Sequence, residues 1–262
     1  DFLGPGAKNF LIPFGSPDAI VAIPKTPDDN ASDTGQWGTA LHWITAGGTD
    51  FGLYYVNAHN KSPAYQVNYG PDGVIPQSYT VHFFEDIVGY AGSFTTVWGN
   101  TNVQGEVSLK EDVPVVLANG DAVEGDLYSA QFGGSHVFEP TRFWDDANLT
   151  FEIAGAYIDS HDSSELRYDD HGSVVNLRLE LAYLNIQQGL DLKVPIFFKR
   201  GLDGNILETE MVEDASALNI EFQFIYLNNF QTKLGYTAFF DGGENHLITD
   251  RDNVSINFSY SF

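Results

Sequence analysis

The run Asn253-Val-Ser-Ile-Asn-Phe-Ser-Tyr-Ser-Phe262 leaves very few folds open. Val254, Ile256, Phe258, Tyr260 and Phe262 alternate with Asn253, Ser255, Asn257, Ser259 and Ser261. A period of two places the first set on one face of a strand and the second set on the other. In a β-sandwich the apolar face would pack on a second sheet. In a membrane barrel it meets lipid while the Asn/Ser face meets a wet lumen, at roughly 9–11 residues per crossing. The length and the terminal aromatic favour the barrel.

The same pattern returns upstream. Over 174–186, Val175, Leu177, Leu179 and Leu181 oppose Asn176, Arg178 and Glu180; over 217–227, Leu218, Ile220, Phe222 and Phe224 oppose Asn219, Glu221 and Gln223. Residues 147–158 and 101–110 alternate likewise, and weaker copies occupy 36–45, 50–58, 87–98, 189–199 and 231–240. With the terminal run this predicts about ten strands. Their polar faces carry mid-strand charges, which a dry sandwich core would not hold unpaired. Lipid outside and water inside accounts for both faces.

Composition agrees. No apolar run approaches the roughly 20 residues of a membrane helix, and the 20 Phe, 13 Tyr and 4 Trp suit interfacial girdles. The absence of cysteine removes disulfides and thiolate metal sites. With 36 acidic against 12 basic residues, net charge −24, nucleic-acid binding is disfavoured. The acidity reads as a surface kept soluble in a salty habitat, with cation bridging or pore selectivity as its functional alternatives.

The connections fall into two classes. Gln187-Gln188, Asn228-Asn229, Gly47-Gly48-Thr49 and Gly99-Asn100 are tight turns, whereas 159–173, 200–216 and 241–251 are long and polar. Short turns belong in the periplasm and long loops outside. By strand parity, 101–110 and 148–158 both run outward, so 111–147 returns across the membrane as an extra strand or as a segment threading the lumen. Pro114, Pro140, Gly120, Gly125 and Gly133-Gly134 argue against a regular strand and for a luminal plug or constriction. The same count makes 1–35 a luminal or connecting segment. It makes 36–262 the C-terminal part of one barrel, with a leader and further strands expected upstream of Asp1.

Two separated motifs carry a resemblance. Ala31-Ser-Asp-Thr-Gly-Gln-Trp-Gly-Thr-Ala-Leu-His-Trp43, then Asp50-Phe-Gly-Leu-Tyr-Tyr-Val-Asn-Ala-His-Asn-Lys-Ser-Pro63, resembles the central region of the domain-of-unknown-function family 1302. The ending Phe239-Phe-Asp-Gly-Gly-Glu-Asn245, Asp250-Arg-Asp252 and Ser259-Tyr-Ser-Phe262 is similar to that family's C-terminus, as are Phe83-Phe-Glu-Asp-Ile87 and Val103-Gln-Gly-Glu-Val107. The resemblance spans nearly all of the chain. It implies a proteobacterial outer-membrane barrel longer than this chain, set in outer-membrane lipid and lipopolysaccharide. The strong acidity departs from typical members and suggests a marine or halophilic Gram-negative source. The resemblance further implies movement of hydrophobic small molecules or lipids across the outer membrane, alongside an inner-membrane permease of the resistance–nodulation–division type and a periplasmic lipid carrier. A structural or adhesive barrel without transport is one alternative. A secreted soluble β-sandwich binding protein is the other.

Individual residues sort accordingly. Phe258, Tyr260 and Phe262 are similar to the signal read by the barrel-assembly machinery, and also pack the apolar face of a last strand. Glu106, Lys110, Glu152, Arg178, Glu180, Glu221 and Lys233 are expected to face the lumen, pairing across strands or setting selectivity. Asp250-Arg251-Asp252 reads as a local ion-pair clasp. The acidic loop 159–171, with His161 and His171, and Asp203-Gly204-Asn205 match no known calcium-loop spacing and read as solvated. No nucleophile elbow, metal-spaced histidine pair or phosphate loop occurs, so no catalytic residue, metal or cofactor is expected.

Overall fold

A computed structural model describes residues 9–14, 16–206, 211–243, 246 and 248–262. Residues 1–8 of the segment 1–35, and Glu244 and Asn245 of the C-terminal motif, lie outside the described residues. The described chain is all-β. Its first strands, β1 (Asn9–Phe14) and β2 (Ser16–Pro24), pair with each other.

The main body is one antiparallel sheet. In chain order its strands are β3 (Trp37–Ile44), β4 (Asp50–Ala58), β7 (Ile87–Trp98), β8 (Thr101–Val116), β9 (Ala122–Phe138), β10 (Asp146–Ile158), β11 (His171–Gln187), β12 (Leu190–Asp203), β13 (Ser216–Tyr226), β14 (Phe230–Phe240) and β15 (Asn253–Tyr260). These eleven strands lie side by side in sequence order. The order is broken only where β5 (Ala64–Tyr69) and β6 (Pro76–His82) form a separate hairpin between β4 and β7. The sheet is open: β3 and β15 are its edges.

Register confirms the alternation strand by strand. One row on the apolar face runs Leu53, Gly92, Val107, Ala130, Gly155; the next row on the other face runs Gly52, Ser93, Glu106, Gln131, Ala154. The apolar face is uncovered. Leu41 is 66% exposed, Val107 61%, Ile256 61% and Val254 80%. The accessible area, 16195 Å² for a 28.9 kDa chain, exceeds the roughly 11,400 Å² of a compact monomer of that mass. The sheet is open, with its edge strands β3 and β15 exposed along their whole length, and its apolar face is far larger than the few hundred Å² of apolar patch on ordinary monomers.

The turn Gln188-Gly189, the residues Leu227–Asn229 and the pair Gly99-Asn100 lie at the end of the sheet where β15 finishes. Gly189 and Gly99 adopt positive φ (74° and 60°), as tight hairpins require. Loops 159–170, 204–215 and 241–252 lie at the opposite end.

Residues 111–147 do not stand apart from the sheet. They complete β8 and supply all of β9, which pairs with both β8 and β10. Strand parity allowed an extra strand or a luminal plug over this segment, and its residues 122–138 form a strand of the sheet. The glycines that argued otherwise have a packing cause: a Cβ on Gly133 would lie 2.6 Å from the Phe151 carbonyl oxygen, and one on Gly134 would lie 2.4 Å from that of Asn102. They permit close approach of neighbouring strands instead of ending a strand. Pro114 sits in β8 just past an irregularity between Lys110 and Val113, where Asp112 has φ 62°.

The β5–β6 hairpin, with strands of 6 and 7 residues, has its own core. Ile23, Tyr79 and Val81 are buried there, with Tyr65, Val67 and Phe83 against them. Thr26 and Asp29 donate backbone hydrogen bonds to the carbonyls of Tyr79 and Val81 (2.8 and 2.9 Å), adding a third extended segment. Buried His59, just past β4, ties together the approaches to β3 and β7: its Nε2 donates to the Thr34 carbonyl (2.9 Å) and its Nδ1 accepts from the Asp86 amide (3.0 Å).

Candidate functional site

The polar face of the main sheet gathers the side chains that could act on a solute. Glu106, Lys110, Glu152, Arg178, Glu180, Glu221 and Lys233 all fall on it by register. They do not form one cluster. Arg178 reaches Glu180 (3.0 Å), and Lys193, not foreseen from the sequence, reaches the other Glu180 oxygen at 4.0 Å. Lys233 lies 4.0 Å from Glu221, which also accepts from Gln223. Glu152 accepts from Asn176 (3.2 Å). Glu106 and Lys110 form no ion pair among the described residues.

Toward the loop end this face turns apolar. The extra residue in β8 puts Val113 on the same side as Lys110, three positions earlier, because Lys110 pairs with Leu127 and Val113 with Gly125. Val115, Ile158 and Leu166 form a buried cluster there with Val113, Val123 and Leu127 against it. Ala156, Val174, Ile206 and Met211 form a second. Leu166 comes from the loop 159–170; Ile206 and Met211 come from the loop 204–215. Both loops therefore lie down on the sheet.

Glycines make room for them. A Cβ on Gly172 would stand 3.1 Å from Met211 Cβ, and one on Gly201 would collide with the Val212 carbonyl oxygen at 1.7 Å. Polar ties lock the loops together. Asp169 accepts from the Asn205 amide and side chain (2.9 and 2.7 Å), and Arg200 pairs with Asp214 (2.6 Å) and Asp241 (3.6 Å). Asn205 is thus spent on Asp169 and Glu213, and His161 donates to the Glu124 carbonyl (2.9 Å). In Asp250-Arg251-Asp252 the clasp differs from the expected ion pair. Asp252 accepts from Tyr236 Oη and the Phe239 amide, both 2.9 Å, while Arg251 forms no ion pair among the described residues.

Beside Met211 of the second loop lies a cavity of about 780 Å³, floored by β4, β7, β8, β9 and β10. Small side chains in one register row, Ala91, Ser108 and Ser129, give it depth. Val56, Ile87, Leu127 and Met211 are among its apolar walls, and Lys61, Lys110 and Glu106 bring charge. Toward the turn end a more polar hollow holds His42, Asp50, Tyr54 and Glu152. There Asp50 and Tyr54 flank the His42 ring at 3.3 and 3.4 Å, and Ser93 donates to Tyr54 (3.4 Å). The serine meets the tyrosine and not the imidazole, so the chain of contacts is not the serine–histidine couple of nucleophilic catalysis. Among the described residues no three His, Asp or Glu side chains converge as metal ligands.

At the sheet edge Phe258 and Tyr260 project to the apolar face, 62% and 64% exposed, and Phe262, just past the end of β15, is fully exposed.

The model of the family described as "Protein of unknown function (DUF1302)" matches residues 1–262. No curated protein and no solved structure matches the chain.

Proposed function

The chain belongs to the DUF1302 family, and on that premise we propose that it forms the wall of an outer-membrane β-barrel, a conduit for hydrophobic small molecules or lipids. One observation carries the reading: an eleven-stranded antiparallel sheet keeps one face apolar and uncovered and the other face polar and charged. From Leu218 to Tyr226 the apolar face of β13 extends about 27 Å along the strand. At a tilt of 35–45° this spans about 20 Å of membrane thickness, close to the apolar band of outer-membrane barrels. Closure pairs the free edges of β3 and β15 with further strands, since an open edge is not tolerated in lipid.

In this arrangement the polar face lines the lumen and the loops are extracellular. The loops 159–170 and 204–215 form the constriction at the outer mouth, the role that the sequence assigned to 111–147. Phe258, Tyr260 and Phe262 serve the barrel-assembly machinery. An inner-membrane permease and a periplasmic lipid carrier supply or remove the solute, as the family resemblance implies. No residue performs covalent chemistry.

The test is reconstitution of the full-length protein into lipid vesicles and planar bilayers. A carbonate-resistant, heat-modifiable barrel with measurable conductance is expected. Resistance to extraction without conductance or solute flux favours the second reading, a structural barrel. The Arg178–Glu180–Lys193 and Glu221–Lys233 contacts support that second reading by filling part of the lumen. A protein that stays in solution without detergent refutes both.

A further inference from the structure

The cavity of about 780 Å³ lies within the 300–1,000 Å³ range of small-molecule sites, and its charges are arranged against the trend of the chain. Acidic residues outnumber basic ones 36 to 12, yet the cavity wall carries Lys61 and Lys110 with Glu106 alone opposing them. Neither lysine forms an ion pair among the described residues. On the loop side the next hollow is lined by Asp29, Glu85, Asp86, Asp112 and Glu124. On the turn side stand Asp50 and Glu152. The two lysines are a cationic island between two acidic zones.

Both lysines are exposed at the cavity wall, so their ammonium groups are accessible to a solute. The remaining lining fits an apolar body: Val56, Ala58, Ile87, Leu127 and Met211 surround a floor of alanine, serine and glycine. We propose that this cavity binds an amphipathic monocarboxylic acid, its apolar body on the small-residue floor and its carboxylate on Lys61 and Lys110. Two lysines less one glutamate leave a single net positive charge, which suits a monoanion better than a phosphate dianion. The acidic zones on either side repel the carboxylate, so the island is where the head group pauses. The inference rests on the conduit reading and names its solute class.

The experiment uses the full-length protein in vesicles with palmitic acid carrying a chain diazirine, and with the methyl ester of the same probe. Photolabelled residues are mapped by mass spectrometry. The acid is expected to label Val113, Leu127 and Met211 at a concentration about tenfold below the ester, the ratio one charge-assisted contact provides. Lys61→Met with Lys110→Met should abolish the preference and leave ester labelling of the same residues unchanged, which also shows the cavity intact. Equal labelling by acid and ester, or a preference that survives the double substitution, overturns the proposal. So does labelling confined to the apolar face. Failure of the conduit reading shows separately, as protein released by carbonate, and the same labelling in solution then still decides the cavity.

Discussion

Replacing Met211 by aspartate is expected to lift the loop 204–215 off the sheet. Ile206 and Met211 are 1% and 8% exposed, packed on Ala156 and Val174. Full burial of such a side chain stabilises by about 1.5–3 kcal/mol, so the pair holds the loop with roughly 3–6 kcal/mol. Aspartate forfeits Met211's share and adds several kcal/mol for an unpaired buried carboxylate. The sum changes sign, and the undocked form dominates. Met211→Ala removes the side chain without adding charge, at about 2–5 kcal/mol, and leaves the loop only weakened. Two assays read the result. The amides of Ile206 and Met211, which bond to each other's carbonyls at 2.9 and 3.1 Å, lose hydrogen-exchange protection in Met211→Asp. Single-channel conductance rises if this loop is the constriction. Unchanged protection refutes the packing argument. Lost protection with unchanged conductance keeps the packing and refutes the constriction.

Three further outcomes follow from other parts of the molecule. Gly134→Ala forces a Cβ against the Asn102 carbonyl and is expected to cost about 1–3 kcal/mol, seen as a lower urea midpoint; a tolerated alanine contradicts the close strand approach assigned to β9. The Asp72 carboxyl, in the β5–β6 turn, is held below its usual value by hydrogen bonds from the Val74 and Ile75 amides. Its contribution is therefore present above the free-chain value near 3.9 and is lost as the pH falls through the lower folded value. A carboxyl carbon shift titrating at the free-chain value would refute this. Phe262→Ala is expected to lower the yield of assembled barrel several-fold without moving the urea midpoint, because the side chain is fully exposed; an equal fall in stability would make it a packing residue instead.

What could be seen in the sequence was whatever repeats with a period of two over a membrane-length run. Ten of the eleven sheet strands satisfy that condition, and so do the seven charged positions of the polar face. β9 was hidden because Val123 and Leu127 occupy polar-face positions and Gly133-Gly134 reads as a break. Only the neighbouring backbones explain those glycines. The β5–β6 hairpin alternates too, but its strands of 6 and 7 residues fall below crossing length. The loop docking had a fainter signal: Leu166 stands alone between Glu165 and Arg167, while Ile206-Leu207 and Met211-Val212 are apolar pairs in an acidic loop, too short to show a period. Ion pairing was harder still. Lys193 joins Glu180 through strand register, which the sequence of either strand cannot supply.

One inserted residue accounts for the change of character along the polar face. Had β8 continued without the irregularity after Lys110, the side facing the lumen in the conduit reading would carry Asp112, Pro114 and Val116. The bulge removes Asp112 from the ladder, where positive φ leaves it exposed among Asp29, Glu85 and Glu124 at the mouth. It brings Val113 and Val115 onto the same face as Lys110. Those valines are what Leu166 packs against, so the loop 159–170 has an apolar seat only because the register shifts there. The acidic mouth and the apolar collar beneath it are two consequences of the same step. Lys110 is the last charged position before that step, which is why an unpaired cation stands at the boundary between wet and apolar surface. A solute with an apolar body and an anionic head meets both surfaces at that position.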